Sequence, residues 1–464
     1  MQGLLFRIRD EAKRRGVSFA DIRVVEKEVT TIEMEDGRVN KVLKNITFGT
    51  GVRILLEGAW GFASTNSIDE YQLNRCLDEA IGMAKASRNY LDTIGEVAKI
   101  EPVVDKVSVR PKIDPRGVPI EEKIKRVMKY ERDARGVDNR LVNTRFLYTD
   151  EYQKEIVCNT FGTFLENEIT RTKTLAFVVA KEGNVRQQGF SFAGRVGGFE
   201  VIEELKSEDF GIRAAKDAVE LLKAEPAKAG KFPVVVDNSI VGLFAHEAFG
   251  HNAEADLVQS GGSILKGKLG QRIASPLVTI IDDATLENTH GYYLYDSEGV
   301  PGQRTILVEN GILKGFMHNL ETASKQGVKP TGNGRAQDHQ HRPIVRMSNT
   351  YIAPGELTFE ELLRDIDEGV YVQGFGGGYV YPERGQYTCS ARRAWMIRNG
   401  ELREPLRDVR ISGMTLETLM NIDGVSKDFN IKEPGTCGKD GQAVPVDNGG
   451  PFVRVKEMVV GGLR

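Results

Sequence analysis

Cysteine is scarce in this chain, with only four residues, at positions 76, 158, 389 and 437, in 464. Their irregular spacing offers no disulfide framework, and a reducing cytoplasm is the expected compartment. One-signed charge is also missing. Lys and Arg total 63 against 66 Asp and Glu, a formal charge of −3, so no strong field recruits nucleic acid or an anionic membrane. No apolar run reaches membrane-spanning length. Residues Met1 to Arg15 scatter charges among their apolar positions, which reads as an amphipathic helix closing at Gly16 rather than a signal peptide. Internal repeats and low-complexity segments are absent too. What remains is a globular chain long enough for two or three domains.

Histidine is equally rare, at six residues, yet two of them fall in His246-Glu-Ala-Phe-Gly-His251. Imidazole is a common zinc ligand, and a carboxylate next to it can act as general base on a water. The spacing is one residue longer than the His-Glu-x-x-His of many metalloproteases. On an ideal α-helix, positions i and i+5 diverge by roughly 140°. For both rings to hold one ion, the helix must widen into a π-like turn or break, and Gly250 is expected to supply the backbone freedom. The run Phe232 to Asp237 reads as a buried strand. Asn238 or Ser239 is then the expected N-cap of a helix with Ile240, Leu243 and Phe244 on its apolar stripe.

Catalytic zinc sites usually take three protein ligands. The remaining histidines are 290, 318, 339 and 341. Among the cysteines, 76, 158 and 389 read as small core residues. Cys437 lies in the glycine-flanked Glu433-Pro-Gly-Thr-Cys-Gly-Lys-Asp-Gly-Gln442, which reads as a loop where Lys439 favours the ligating thiolate. Cys437 therefore leads as third ligand without excluding the histidines. His339 and His341, two apart, would share one face if they lay on a strand, but a loop near the substrate is the favoured placement, with a role as ligand or oxyanion donor and His341 slightly ahead. His290 and Tyr293 are further candidates for stabilising a transition state. Asn252, Glu254 and Asp256 are candidates for orienting the ligands. The stretch Gly374-Phe-Gly-Gly-Gly378 lacks the setting of a phosphate loop and reads as a mobile or close-packed strand connection.

The local patterns predict an α+β fold. Helices alternate with antiparallel strand meanders in the first half, including hairpins turning at Asp36-Gly37 and Glu57-Gly58. Ser67-Ile-Asp-Glu70 predicts a capping box for a helix to about Arg88, and residues 91–118 predict an extended connection. A second helix is expected from Ile120 to Gly136. The second half is strand-rich and glycine-punctuated after the His-Glu helix. Two domains follow, 1–226 and 227–464, the second carrying the metal-site helix.

Several motifs resemble the TldD/PmbA family of zinc-dependent peptidases, and its TldD branch in particular. They are His246-Glu-Ala-Phe-Gly-His251 with Asn252 to Asp256, Asp296-Ser-Glu-Gly-Val-Pro301, Thr331-Gly-Asn-Gly-Arg335, Arg346-Met-Ser-Asn-Thr-Tyr351 and Gly435-Thr-Cys-Gly-Lys-Asp-Gly-Gln442. They run from about position 230 to the end, whereas the first half matches in general pattern only. The resemblance implies one zinc per chain on His246, His251 and Cys437, with Glu247 as base. It also implies hydrolysis of unfolded or extended polypeptides, and a homodimer or a heterodimer with a PmbA (TldE)-type subunit. A regulatory binding subunit of such a complex, or a zinc amidase acting on small molecules, are the alternatives.

Overall fold

The computed structural model describes residues 1–91 and 93–462. Helix α1 (Gln2–Arg14) buries Leu5, Ile8 and Ala12. Strands β1 (Phe19–Glu35), β2 (Arg38–Leu56) and β3 (Ala59–Thr65) follow as successive hairpins. Their turns fall where the sequence places them: Asp36 and Gly37 take positive φ, as do Glu57 and Gly58. Helix α2 (Glu70–Ser87) packs Leu73, Cys76 and Leu77 inward. Its cap is Asp69, which accepts from the amide of Gln72, and not Ser67, whose hydroxyl bonds to Asp69 instead.

The predicted extended connection contains a strand. β4 (Val104–Val109) pairs in parallel with β6 (Phe164–Glu182), a partner some sixty residues away that local pattern does not reveal. Helix α3 (Ile120–Arg135), β5 (Leu141–Asn159), β6 and β7 (Val185–Val196) complete a seven-stranded sheet in the order β3-β2-β1-β5-β6-β4, with β7 also on β6. Helix α4 (Gly211–Leu221) packs on β6 and β7 through Ala214, Ala215 and Ala218.

The second half begins with β8 (Gly230–Val236), then α5 (Asn238–Leu243). A small antiparallel sheet contains β9 (Ile280–Asp283), β10 (Arg304–Glu309) and β11 (Thr350–Ile352). The last strands are β12 (Glu368–Tyr381), β13 (Gln386–Arg398), β14 (Val409–Met414), β15 (Ile422–Lys439) and β16 (Gln442–Gly462). Within this sheet β12 pairs β8, β8 pairs β16, β16 pairs β14, β14 pairs β13, and β13 pairs β12 again. The five strands thus close into a barrel, with β15 appended to it through β16. Alternation along β8 separates two cores: Val234 and Val236 join the large interior cluster, while Val235 packs outside with Leu362 and Tyr371. The architecture is the expected α+β class with antiparallel sheets predominating.

Candidate metal centre

The helix after β8 starts on Asp237, whose carboxylate accepts from the amide of Ile240; Asn238 and Ser239, the expected caps, lie just inside it. It then does what the i, i+5 spacing demands. Residues Phe244–Phe249 form a π-helical turn, followed by a 3-10 turn over Gly250–Ala253. Widening the turn brings the rings of His246 and His251 to 5.4 Å between centroids, nearly perpendicular to each other. Gly250 serves this differently from expectation. Its backbone is ordinary helix (φ −57°), so freedom is not the requirement; a Cβ there would lie 2.1 Å from Sδ of Met347. Space is what the glycine provides.

Cys437 comes from β15 rather than from a loop, close to the tight β15–β16 hairpin in which it pairs with Val444. Two buried arginines fix that hairpin. Arg346, fully buried, donates to the carbonyls of Cys437 (2.6 Å) and Gln442 (3.2 Å). Arg335 donates to the carbonyls of Met347 (2.6 Å) and Pro445 (2.7 Å). Ligand atoms of His246, His251 and Cys437 then lie within 4.8 Å of one another, the sulfur 3.5 Å from Nε2 of His251. The cluster is nearly closed to solvent.

Its electrostatics favour a thiolate. Burial opposes ionisation of Cys437, but the adjoining imidazoles of His246 and His251 outweigh it and bring the pKa down to about 5. Conversely, burial works against protonation of both histidines, and the thiolate, with Glu254 for His251, raises them. Nδ1 of His246 is buried without a hydrogen-bond partner. Two imidazoles and a thiolate, convergent and desolvated, with one ring nitrogen left unsatisfied, fit a zinc-type ion and leave a fourth position for a reactant.

Of the orienting candidates, Glu254 takes that role most directly. It is fully buried and accepts from Nδ1 of His251 at 2.9 Å, which turns Nε2 toward the sulfur. Lys439 does not touch Cys437. It pairs with both oxygens of Asp256 at 2.7 Å and lies 3.2 Å from Glu254. Asn252 ties the irregular turn together, donating to the carbonyl of Ala248 and accepting from the amide of Ile264. Glu247 is held apart from these. Its side chain is 40 % exposed, and Oε2 lies 3.7 Å from Nε2 of His251.

The other candidates fall outside the cluster. His341 bonds through Nδ1 to Asp338 (2.7 Å) and His339 through Nε2 to Asn66 (2.9 Å); both lie in an irregular turn, the loop placement favoured from the sequence. His290 is buried, its amide donating to Asp447 and its ring kept neutral by burial. The hydroxyl of Tyr293 donates to the carbonyl of Gly332 and its ring lies under Arg335, so it is committed to structure. His318 sits with Thr322. Arg335 and Arg346 went unassigned in the sequence, because nothing in their spacing indicates which carbonyls they meet.

Comparison with known proteins decides the lineage. Residues 229–462, more than half of the chain, match the PmbA/TldA metallopeptidase C-terminal domain. The chain belongs to the PmbA/TldD family. The first half matches as well, with domain 1 over 20–84 and the central domain over 113–222. A "Metalloprotease" of Methanothermobacter thermautotrophicus is 42% identical over 96% of each chain. A "Zinc metalloprotease TldD homolog" of Saccharolobus solfataricus is 31% identical, covering 99% of this chain and all of its own. A crystal structure from Thermotoga maritima, described as a modulator of a DNA gyrase, superposes with a TM-score of 0.81 at 27% identity, covering 99% of both chains. TldE of Thermococcus kodakarensis shares the fold at a TM-score of 0.80 and 21% identity. The Methanothermobacter and Saccharolobus relatives are thus both named metalloproteases. Among its described residues, no helix is long and apolar enough to cross a membrane.

Proposed function

We propose that this PmbA/TldD chain is a zinc-dependent peptidase that hydrolyses peptide bonds in unfolded or extended polypeptides. The observation that carries this reading is the convergence of His246, His251 and Cys437 beside a free carboxylate, Glu247. One zinc ion per chain would be held by those three side chains, and when bound it supplies Lewis acidity to a water and to the scissile carbonyl. Glu247 removes the proton from the attacking water and passes it to the leaving amine. Its partial exposure suits that exchange, since the group must change protonation state in every cycle. Glu254 holds the ring of His251, and Arg346 holds the strand of Cys437, so neither ligand must be ordered when the substrate arrives.

A thiolate from Cys437 would give a bound ion more charge than a third imidazole and so temper its Lewis acidity, leaving more of the proton transfer to Glu247. Pairing with a TldE-type subunit, or with a second copy, is proposed from the family; a TldE chain shares this fold. The substrate class separates the peptidase from an amidase and from a regulatory subunit. Incubation of the purified chain with an unfolded protein and with simple amides, read by mass spectrometry, is expected to yield peptides from the first alone. Products from the amides only would favour the amidase.

A further inference from the structure

The barrel formed by β12, β8, β16, β14 and β13 does not fill its own interior. A cavity of ≈ 190 Å³ remains, walled by Val236, Phe244, Phe375, Cys389, Ile411 and Val453. Natural cores close such voids, because atoms facing empty space lose their dispersion contacts. An apolar cavity of about 150 Å³ is enough to stay dry and admit a benzene ring. The lining here is predominantly apolar, with Tyr387, Thr388 and Thr418 as its neutral polar members. Burial pushes the Cys389 thiol up to about 12, with the Asp237 carboxylate adding to the rise and Arg392 opposing it.

One charged residue lines this cavity, and it is Glu247. The same residue lies 3.7 Å from Nε2 of His251, so the wall of an apolar chamber and the edge of the metal centre meet at one side chain. The glycine-rich segment supplies another part of the wall. Between Phe375 and Gly378 the β12–β13 register slips, leaving Gly376 and Gly377 unpaired. Gly377 takes φ +116°, which side chains rarely adopt. This bulge turns Phe375 and Val380 onto the cavity and leaves Tyr379 73 % exposed at its border.

We infer that this chamber receives a large apolar side chain of the polypeptide, at a residue adjoining the bond to be cut. The inference rests on the peptidase reading above and adds the chemical class of residue at the cleavage site. Leucine-, methionine- or phenylalanine-sized groups fit the volume; a charged side chain would lose its hydration there without gaining a partner.

The test maps cut sites in an unfolded protein for the full chain and for Val380→Trp, which fills the cavity from a half-buried position on β12. Alongside it, binding of a phenylalanine-containing peptide and of its alanine counterpart is measured on Glu247→Gln. Cuts clustered beside large apolar residues are expected, with that preference lost in Val380→Trp while cuts beside alanine persist. The phenylalanine peptide is expected to bind at least about ten-fold tighter than the alanine one, as burial of two or more methylene equivalents implies. Cleavage without preference would overturn the inference and leave the peptidase standing. No cleavage by the zinc-loaded chain, alone or with a TldE-type subunit added, with the binding preference intact would overturn the peptidase and leave the apolar pocket. No cleavage and equal binding would remove both.

Discussion

Glu254, without any solvent exposure, accepts a hydrogen bond from Nδ1 of His251 at 2.9 Å and places the other ring nitrogen 3.5 Å from the sulfur of Cys437. The carboxylate thereby sets both tautomer and ring orientation before any ion arrives. Glu254→Gln is expected to weaken zinc affinity by about 10–100-fold, the usual effect of losing such a partner. A zinc-chelator competition titration measures it, and unchanged affinity would show that His251 orients itself.

Arg346 has a comparable hold on the third ligand, through the carbonyl of Cys437. Arg346→Met keeps bulk but removes two charge-assisted bonds, each worth about 1.5–3 kcal/mol. The variant is expected to melt several degrees lower and to bind zinc more weakly. Melting with and without added zinc separates the effects: if the zinc-induced rise in Tm matches wild type, Arg346 serves stability alone.

Metal removal is expected to destabilise the second half. His246 and His251, on successive turns, and Cys437 on β15 stand 186 residues apart in sequence (437 − 251), so an ion bridging them links distant segments of the chain. An ion at about 100 times its Kd adds roughly 2.7 kcal/mol to the folded state. Chelator treatment followed by calorimetry is expected to lower Tm, with recovery on adding zinc. Equal melting in both states would exclude a bridging ion.

Asp237 makes stability depend on pH. Burial raises its carboxyl pKa to about 7, against the amides of Ile240 and Gly374, which favour the ionised form. A folded pKa above the unfolded value, near about 3.9, means that the contribution is complete below about pH 4 and is lost as pH rises toward 7. Asp237→Asn cannot ionise and still offers one capping oxygen. Between about pH 4 and pH 8, its stability relative to wild type is therefore expected to shift in the variant's favour. Chemical denaturation at the two pH values checks this, and a constant difference contradicts it.

The two-histidine part of the candidate site is legible in the sequence because its geometry is local, whereas Cys437 joins it only through the fold. The five-residue spacing of His246 and His251 states a geometric conflict, and the π turn at Phe244–Phe249 is its physical solution. Hairpin turns at Asp36-Gly37 and Glu57-Gly58 were equally legible, since a glycine between two strand-like runs marks each turn. Long-range pairing was not. β4 reads as an extended linker because its parallel partner β6 is remote in sequence, and Cys437 reads as a loop residue because glycines also populate a hairpin strand. Gly250 shows the limit from another side, since its need for space depends on Met347, nearly a hundred residues later.

Zinc content and peptide release, measured on the same preparations of wild type, Glu247→Gln and Cys437→Ser, test the central claim most directly. Wild type is expected to carry one zinc per chain and to cleave an unfolded protein. Glu247→Gln is expected to keep its zinc while its rate falls by about 10²–10⁴-fold, the range of general-base catalysis. Cys437→Ser is expected to lose most of its zinc and its activity together. Wild-type turnover by zinc-loaded Glu247→Gln, or full zinc occupancy in Cys437→Ser, would contradict the account.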